Sequence, residues 1–254
     1  MRRRRSVVSA IETWTEQDVR WISFARPDKL NALTVDELRE VTSLLRDTRP
    51  RAAVFTGAGE RAFSAGMHVD GFRGLDPHSA AALIREVRDF VAAARTAEFP
   101  TVCAVNGYCL GAAFELALAC DVRVAAENAV FGLPEIAVGI PSVIDAALLQ
   151  QHVGLGKAKE MILTGRLYPV RQLPVLANDV VDPDELVPRT RSFVDDMARH
   201  SSVAMAAQKR LFETWQNSGL SDGADASIEE FAGVFAFEET ADRVRARGAE
   251  LGDG

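Results

Sequence analysis

The stretch TVCAVNGYCLGAAFE, residues 101–115, decides the fold of this chain. Its first five residues form a continuous apolar run, which is typical of a strand buried on both faces of a sheet. Asn106 and Gly107 follow as a turn dipeptide. Small and apolar residues then dominate positions 112–119, where we predict a buried helix. A buried strand, a tight turn and a buried helix in direct succession favour an α/β fold.

Residues 101–120 also resemble a membrane span in composition, because Glu115 is their only charged residue. About 20 apolar residues are needed to cross a bilayer. The turn dipeptide breaks the segment, however, and a glutamate is energetically costly in lipid. We therefore predict no membrane partner.

The composition is that of a globular protein. Hydrophobic residues make up 48% of the 254 residues and charged residues 26%, a balance that does not suit a disordered chain. Lys and Arg number 29 against 36 Asp and Glu, so the net charge at pH 7 is −7. This acidic balance argues against nonspecific nucleic-acid binding, which relies on clustered basic residues.

We predict no metal site and no disulfide. The three cysteines, Cys103, Cys109 and Cys120, share one apolar stretch without a C-x-x-C spacing, so we expect buried free thiols. The four histidines form no H-E-x-x-H pair. A basic run near the start, Arg2-Arg3-Arg4-Arg5, has no apolar segment behind it and does not match a secretory signal. We assign that run no function and expect a cytoplasmic protein.

Short strands alternate with helices in the first half of the chain. Strands are predicted over residues 19–24, 52–56 and 121–125, in addition to 101–105. Thr34 and Glu37 form a T-x-x-E capping box ahead of an amphipathic helix, and Pro77 opens a second, longer helix. This alternation favours a mostly parallel sheet that is covered on both faces.

Only helices are predicted beyond residue 140. They lie near residues 143–151, 157–163, 184–199, 202–217 and 227–247, the last with a capping box at Ser227 and Glu230. No linker or low-complexity tract interrupts the chain. We therefore predict one domain over residues 1–254, with a core from about residue 15 to 200 and a helical region from 200 to 254.

Two segments of small residues are suited to bringing backbone N–H groups close to a ligand. The loop FSAGMH, residues 63–68, follows a strand and leaves room for close approach, although a plain turn or packing loop fits it equally well. Gly111 precedes a helix whose first N–H groups lack internal partners, and such a helix start binds a phosphate, a carboxylate or a developing oxyanion. Neither a Walker loop nor a G-x-G-x-x-G fingerprint is present, which argues against a nicotinamide oxidoreductase.

Two glutamates are candidates for acid–base chemistry. Glu115 lies about one turn into the apolar helix, and no Lys or Arg occurs within six residues on either side. Burial is therefore expected to raise its pKa toward a range that suits proton transfer. Glu135 follows the apolar turn FGLP. Each glutamate alone could equally be a structural hydrogen-bond acceptor or a helix cap, and the sequence does not place the two near each other.

Five short motifs, in order, resemble the enoyl-CoA hydratase/isomerase (crotonase) superfamily. They are RPDKLNAL (26–33), FTGAG (55–59), FSAG (63–66), VNG continuing to Asp121 (105–121) and FGLPE (131–135), and they span most of the chain. The resemblance implies a spiral of ββα units. It also implies a C-terminal helical region that mediates homotrimers, often paired into hexamers.

The resemblance also implies a site. The family polarises the carbonyl of an acyl-CoA thioester with two backbone N–H groups, which here correspond to those of Met67 and Ala112. The two catalytic glutamates correspond to Glu115 and Glu135, and no cofactor is implied beyond the CoA of the substrate. The implied substrate-binding residues are Lys29, Ala65, Gly66, Met67, His68, Val69, Gly111 and Ala112.

Hydration of a trans-2-enoyl-CoA is the leading activity that the resemblance implies. One glutamate would activate water for attack at Cβ, while the other positions that water and supplies the proton at Cα. A Δ3-Δ2 enoyl-CoA isomerase that uses Glu135 alone is an alternative, as is other acyl-CoA enolate chemistry such as decarboxylation. A catalytically silent acyl-CoA binder also stays open.

The sequence departs from the family pattern at three places near the implied site. Residues 111–113 are Gly-Ala-Ala where the family often has three glycines, and Met67 and His68 replace a small residue and an aspartate. Residues 140–147, IPSVIDAA, replace a glycine-rich turn and T-Q-R. They introduce Asp145, for which both a catalytic role and a helix-start acceptor role are open. These departures bear on acyl specificity.

Overall fold

The apolar runs become strands and helices in a computed structural model that describes residues 10–252. The basic run at residues 2–5 lies outside the described residues. The strands are β1 (Ile11–Glu16), β2 (Val19–Phe24), β3 (Ala52–Gly57), β4 (Ala62–Ser64), β5 (Thr101–Val105), β6 (Tyr108–Leu110), β7 (Val122–Ala126), β8 (Val130–Gly132), β9 (Tyr168–Pro169) and β10 (Asp179–Val181). The α-helices are α1 (Val35–Asp47), α2 (Pro77–Arg95), α3 (Ala112–Ala119), α4 (Leu149–Thr164), α5 (Leu186–Ala198), α6 (Ser202–Asn217), α7 (Leu220–Val234) and α8 (Glu238–Gly252).

Two sheets organise the core. A six-stranded sheet has the order β1-β2-β3-β5-β7-β10, and it is parallel except for the β1–β2 pair. A four-stranded sheet has the order β4-β6-β8-β9, in which β9 runs antiparallel to β8. The predicted, mostly parallel arrangement is confirmed for the larger sheet.

Each turn of the chain contributes one strand to each sheet. The successive turns are β3-β4-α2, β5-β6-α3 and β7-β8, which is the ββα spiral that the resemblance implied. The steps between sheets are tight: a Cβ on Gly57 would lie 2.1 Å from the Ala62 oxygen, and one on Gly107 would lie 2.2 Å from the Arg61 oxygen. Only glycine therefore fits where the chain passes from one sheet to the next.

Buried polar contacts fix the RPDKLNAL segment against this spiral. The Asn31 side-chain amide donates to the Ala58 oxygen at 3.0 Å and to the Ala62 oxygen at 2.7 Å. Arg26 forms an ion pair with Glu37, whose Oε2 also accepts from the Thr34 N–H at 2.8 Å. The predicted capping box at the start of α1 is thus confirmed.

Strands do occur beyond residue 140, contrary to the prediction. β9 has two residues and β10 has three, so neither is long enough to display a period-2 pattern. Each pairs with a strand formed far earlier in the chain, β8 and β7 respectively. Tertiary pairing rather than local sequence therefore produces them.

Two predicted helix boundaries are also wrong. Residues 143–151 and 157–163 are not separate helices: a 3-10 turn over Ile144–Leu148 leads into α4, which contains one non-helical residue, Gly154 at φ +75°. The predicted helix 227–247 is divided into α7 and α8. Ser227 caps nothing, because it lies inside α7 and its Oγ donates to the Gly223 oxygen at 2.7 Å. A serine can make this backward bond within a helix, which the capping-box pattern does not distinguish.

The three predicted thiols, Cys103, Cys109 and Cys120, are buried and unpaired in the fold. Between residues 10 and 252, no helix has both the length and the apolar character that crossing a bilayer requires. Within the same residues, no cluster of three or more His, Cys, Asp or Glu side chains is arranged to hold a metal ion.

Candidate active site

The FSAG loop packs directly against the start of α3. Gly66 has φ +81°, and a Cβ there would lie 2.7 Å from the Leu110 oxygen and 3.0 Å from the Ala112 nitrogen. The absence of a side chain at Gly66 thus lets two backbone segments from different spiral turns approach each other. The peptide that joins Gly66 to Met67 consequently lies beside the first peptide of α3.

The N–H groups of Met67 and Ala112 point away from the secondary structure around them. Met67 forms a parallel bridge with Leu33, in which Leu33 N–H donates to the Gly66 oxygen and His68 N–H donates to the Leu33 oxygen, both at 2.8 Å. These two bonds involve the Gly66 oxygen and the His68 N–H, which flank Met67 in the chain. The N–H of Met67 itself therefore points away from Leu33. Ala112 is the first residue of α3, where an N–H has no intrahelical acceptor.

Glu115 is a buried carboxyl with an unused oxygen. It is 3% exposed, and its Oε2 has no hydrogen-bond partner within the described part of the chain. Burial raises the pKa of Glu115 to about 8, and the nearby charges of Glu135 and Asp145 contribute to this rise. The nearby polar backbone of Asp145 and Val143 partly opposes this rise. The predicted rise in its pKa is therefore present, and Glu115 holds its proton at neutral pH.

The Glu135 carboxyl also lies near the start of α3, but Glu135 belongs to the next turn of the spiral. It lies in a 3-10 helix, Pro134–Val138, directly after β8. Its Oε1 would be 2.7 Å from a Cβ on Gly111, so the carboxyl lies against the start of α3. The Ser142 hydroxyl donates to its Oε2 at 2.9 Å. Burial raises the pKa of Glu135, and the Ser142 hydrogen bond limits that rise.

The segments implied to hold CoA are adjacent to each other. Ala65 N–H donates to the Leu30 oxygen at 2.8 Å, which joins the loop at residues 65–69 to the turn that carries Lys29. Lys29 is exposed, His68 is half-buried and Val69 is 65% exposed. This edge of the site therefore combines the exposed ammonium group of Lys29 with the exposed apolar side chain of Val69.

Sequence reasoning missed two contributors and left a third undecided. The Ser142 hydroxyl contacts Glu135, yet a single serine seven positions further on carries no periodic signal. Arg95, at the end of α2, donates from Nε to Oδ2 of Asp145 at 3.0 Å. Asp145 is thus engaged by a side chain from another helix rather than by the backbone at the start of its own.

Comparison with known proteins identifies the family. The family model described as enoyl-CoA hydratase/isomerase matches residues 15–245. The chain belongs to this family. It is 35% identical over 213 residues to the 2,3-dehydroadipyl-CoA hydratase of Escherichia coli, with 82% of each chain covered. It is 29% identical over 238 residues to the short-chain-enoyl-CoA hydratase of Clostridium acetobutylicum, with 91% of each covered.

A solved structure of the same family has the same fold. The enoyl-CoA hydratase of Bacillus anthracis superposes with a TM-score of 0.88 at 26% identity, covering 95% of this chain and 97% of that one. The crotonase-type spiral predicted from the five motifs is thereby confirmed. Within this enoyl-CoA hydratase/isomerase fold, the spiral brings together the buried Glu115, the partly buried Glu135 and two outward-facing N–H groups, which are up to 68 residues apart in sequence.

Proposed function

We propose that this chain catalyses the addition of water across the 2,3 double bond of a trans-2-enoyl-CoA. The observation that carries the proposal is the meeting of Glu115 and Glu135 at the start of α3, beside the Met67 and Ala112 N–H groups. The enoyl-CoA hydratases among its relatives support the same assignment.

The two N–H groups would bind the thioester oxygen. Attack of water at Cβ moves electrons through the conjugated system onto that oxygen, so negative charge develops there. Fixed donors at Met67 and at the start of α3 stabilise this charge more than the neutral substrate carbonyl. Removing one such donor typically costs about 10²–10³ in rate.

The glutamate pair balances the protons of the reaction. The addition needs one proton on the pair. Burial raises the pKa of Glu115 to about 8, whereas the Ser142 hydrogen bond limits the rise in the pKa of Glu135, so we assign the proton to Glu115 and the negative charge to Glu135. The ionised carboxyl accepts the proton that water loses as its oxygen bonds to Cβ. The other carboxyl gives its proton to Cα. The pair ends with one proton, as it began, so the addition requires no cofactor.

The CoA moiety would lie along Lys29 and the loop of residues 65–69. An exposed ammonium group binds phosphate as a point charge, and the loop offers backbone groups without bulky side chains at Ala65 and Gly66. The apolar Met67 and Val69 side chains border the same edge. These contacts would orient the thioester toward the paired N–H groups.

Oligomerisation through the C-terminal helices is part of the proposal. Large apolar side chains on α6 and α7 are about half or more exposed in the single chain: Phe212, Trp215, Leu220, Ile228 and Phe231. Such a surface is typical of an interface. We propose a homotrimer, or a hexamer of two trimers, in the cytoplasm.

The experiment is to follow the ultraviolet absorbance of the conjugated thioester in crotonyl-CoA, a short trans-2-enoyl-CoA. We expect a protein-dependent loss that falls at least about 10²-fold in Glu115→Gln and in Glu135→Gln. Glu98→Gln, an exposed glutamate outside the site, serves as the matched control and should retain full activity. Wild-type turnover in both active-site variants would exclude the assignment.

Two other outcomes separate the alternatives. A 3-enoyl-CoA that gains conjugated absorbance with wild type and with Glu115→Gln, but not with Glu135→Gln, would identify an isomerase. Tight binding of acyl-CoA without any turnover would identify a silent binder.

A further inference from the structure

A line of charges runs from Glu115 to the C-terminal helical region. Arg95 lies at the end of α2 and donates from Nε to Oδ2 of Asp145 at 3.0 Å. Its Nη1 forms an ion pair with Glu213 of α6. The side chains of Arg95, Asp145 and Glu213 are 24%, 13% and 23% exposed. Three separate elements are thus joined by largely buried ionic contacts, and their order is Asp145–Arg95–Glu213.

The Asp145 end of this line lies against Glu115. The 3-10 turn Ile144–Leu148 packs against α3, the helix that carries Glu115, and Asp145 lies close enough to the Glu115 carboxyl for its charge to act on it. Ile144, directly before Asp145, has φ +51°. A β-branched residue is strained in this left-handed region, and such strain persists only where the surrounding contacts hold it. The ion pair of Asp145 with Arg95 is one of the contacts that hold this turn.

We infer that Asp145, anchored by Arg95 and through it by Glu213, is a positioning residue that helps Glu115 to retain its proton. The C-terminal helix α6 is thereby coupled to the acid–base pair. The catalytic consequence rests on the proposed function, but the protonation of Glu115 does not.

The charges that bear on Glu115 give the direction of the effect. Glu135 and Asp145 face Glu115, and both favour its protonated form. Arg95 and Glu213 in turn face Asp145. Lys209 and Asp121 line a cavity of about 210 Å³ together with Arg95 and Glu213. Lys209 and Asp121 form an ion pair with each other at 2.6 Å.

Neutralising Asp145 removes a negative charge beside Glu115, so Glu115 should lose its proton at lower pH. Neutralising Glu213 leaves more of the Arg95 charge to compensate Asp145. Glu115 should therefore shift in the same direction, but less, because Glu213 acts from further away.

The test compares Asp145→Asn and Glu213→Gln with Asp179→Asn. Asp179 forms an ion pair of the same type with Arg189 at 2.5 Å, outside the site. The readout is the titration of Glu115 in protein labelled with ¹³C at glutamate side-chain carboxyls, its signal identified by its loss in Glu115→Gln. We expect the midpoint to fall by about one pH unit in Asp145→Asn and by less in Glu213→Gln. Asp179→Asn should match wild type.

A second readout is the pH dependence of kcat for crotonyl-CoA hydration. Its basic limb should move to lower pH in the same order as the titration midpoints. Unchanged midpoints in both Asp145→Asn and Glu213→Gln would overturn the inference. If Asp145→Asn fails to fold, Glu213→Gln decides alone: a lowered midpoint supports the inference and an unchanged one overturns it. Shifted midpoints without turnover on any acyl-CoA would contradict the proposed function while supporting the control of Glu115.

Discussion

Glu135 Oε1 occupies the space that a side chain at Gly111 would need, since a Cβ on Gly111 would lie 2.7 Å from this oxygen. Gly111 also has φ +56°, in the region that favours glycine. One residue thus permits both the turn into α3 and the approach of the second carboxyl to the helix start.

Gly111→Ala should therefore abolish most activity. The added methyl group must displace the Glu135 carboxyl, so we expect at least about a tenfold loss of kcat for crotonyl-CoA hydration, besides about 1–3 kcal/mol of backbone strain at φ +56°, ψ −134°. Gly74→Ala is the matched control, because Gly74 has φ +69° with no atom within 4 Å of its Cβ position. In Gly74→Ala, the free energy of unfolding in urea should fall because of backbone strain, whereas kcat should stay at the wild-type value. Equal kcat in the two variants would contradict the role of this contact.

Glu115 should make the protein less stable as the pH rises. Its pKa is about 8 in the folded chain and near 4.5 when unfolded, so between these values only the folded state holds the proton. The free energy of unfolding then falls with increasing pH, by up to about 5 kcal/mol above pH 8, and is unaffected by this group below pH 4.5. Urea unfolding at a series of pH values from 4 to 9 measures this pH dependence of the free energy of unfolding. The decline should be smaller in Glu115→Gln, and identical slopes in the two proteins would refute the buried neutral glutamate.

Ser142→Ala should shift the acidic limb of the hydration profile to higher pH. The Ser142 hydroxyl donates to Glu135 and favours its charged form, so its loss raises the pKa of Glu135. The activity relative to wild type should consequently be lower at pH 6 than at pH 8. Ser192→Ala, which removes an exposed hydroxyl of α5, provides the control. A uniform loss at all pH values in Ser142→Ala would indicate a purely structural role.

Asn31→Ala should destabilise the fold by about 2–4 kcal/mol. Its amide satisfies the Ala58 and Ala62 oxygens, and the variant leaves both without that donor while placing alanine at φ +56°. Asn128→Ala is the control, because among the described residues its exposed amide makes only two long contacts, of 3.4 and 3.5 Å. Urea denaturation compares the two, and equal stabilities would contradict this account of the RPDKLNAL motif.

Local sequence was sufficient where an element is stabilised by its own residues. The strand at 101–105 and the helix at 112–119 were predicted with the observed bounds, because a continuous apolar run, a turn dipeptide and a small-residue helix are local patterns. The capping box at Thr34 is local as well. Local sequence did not predict β9 and β10, because these strands form through pairing with distant strands. It also predicted a cap at Ser227, whose hydroxyl instead donates to a carbonyl one turn earlier in the same helix. The division of the chain into one domain with a helical region stays a prediction.

The sequence by itself determined which chemical groups this protein has and the order in which the spiral presents them. Five motifs identified the family, and the isolation of Glu115 from basic neighbours indicated its raised pKa. Only the tertiary structure decided that Glu135 lies against Gly111, and that Arg95 reaches Asp145 across 50 positions. The physical reason is that the protonation of a carboxyl depends on burial and on charges within a few ångströms, and folding rather than adjacency in sequence supplies both.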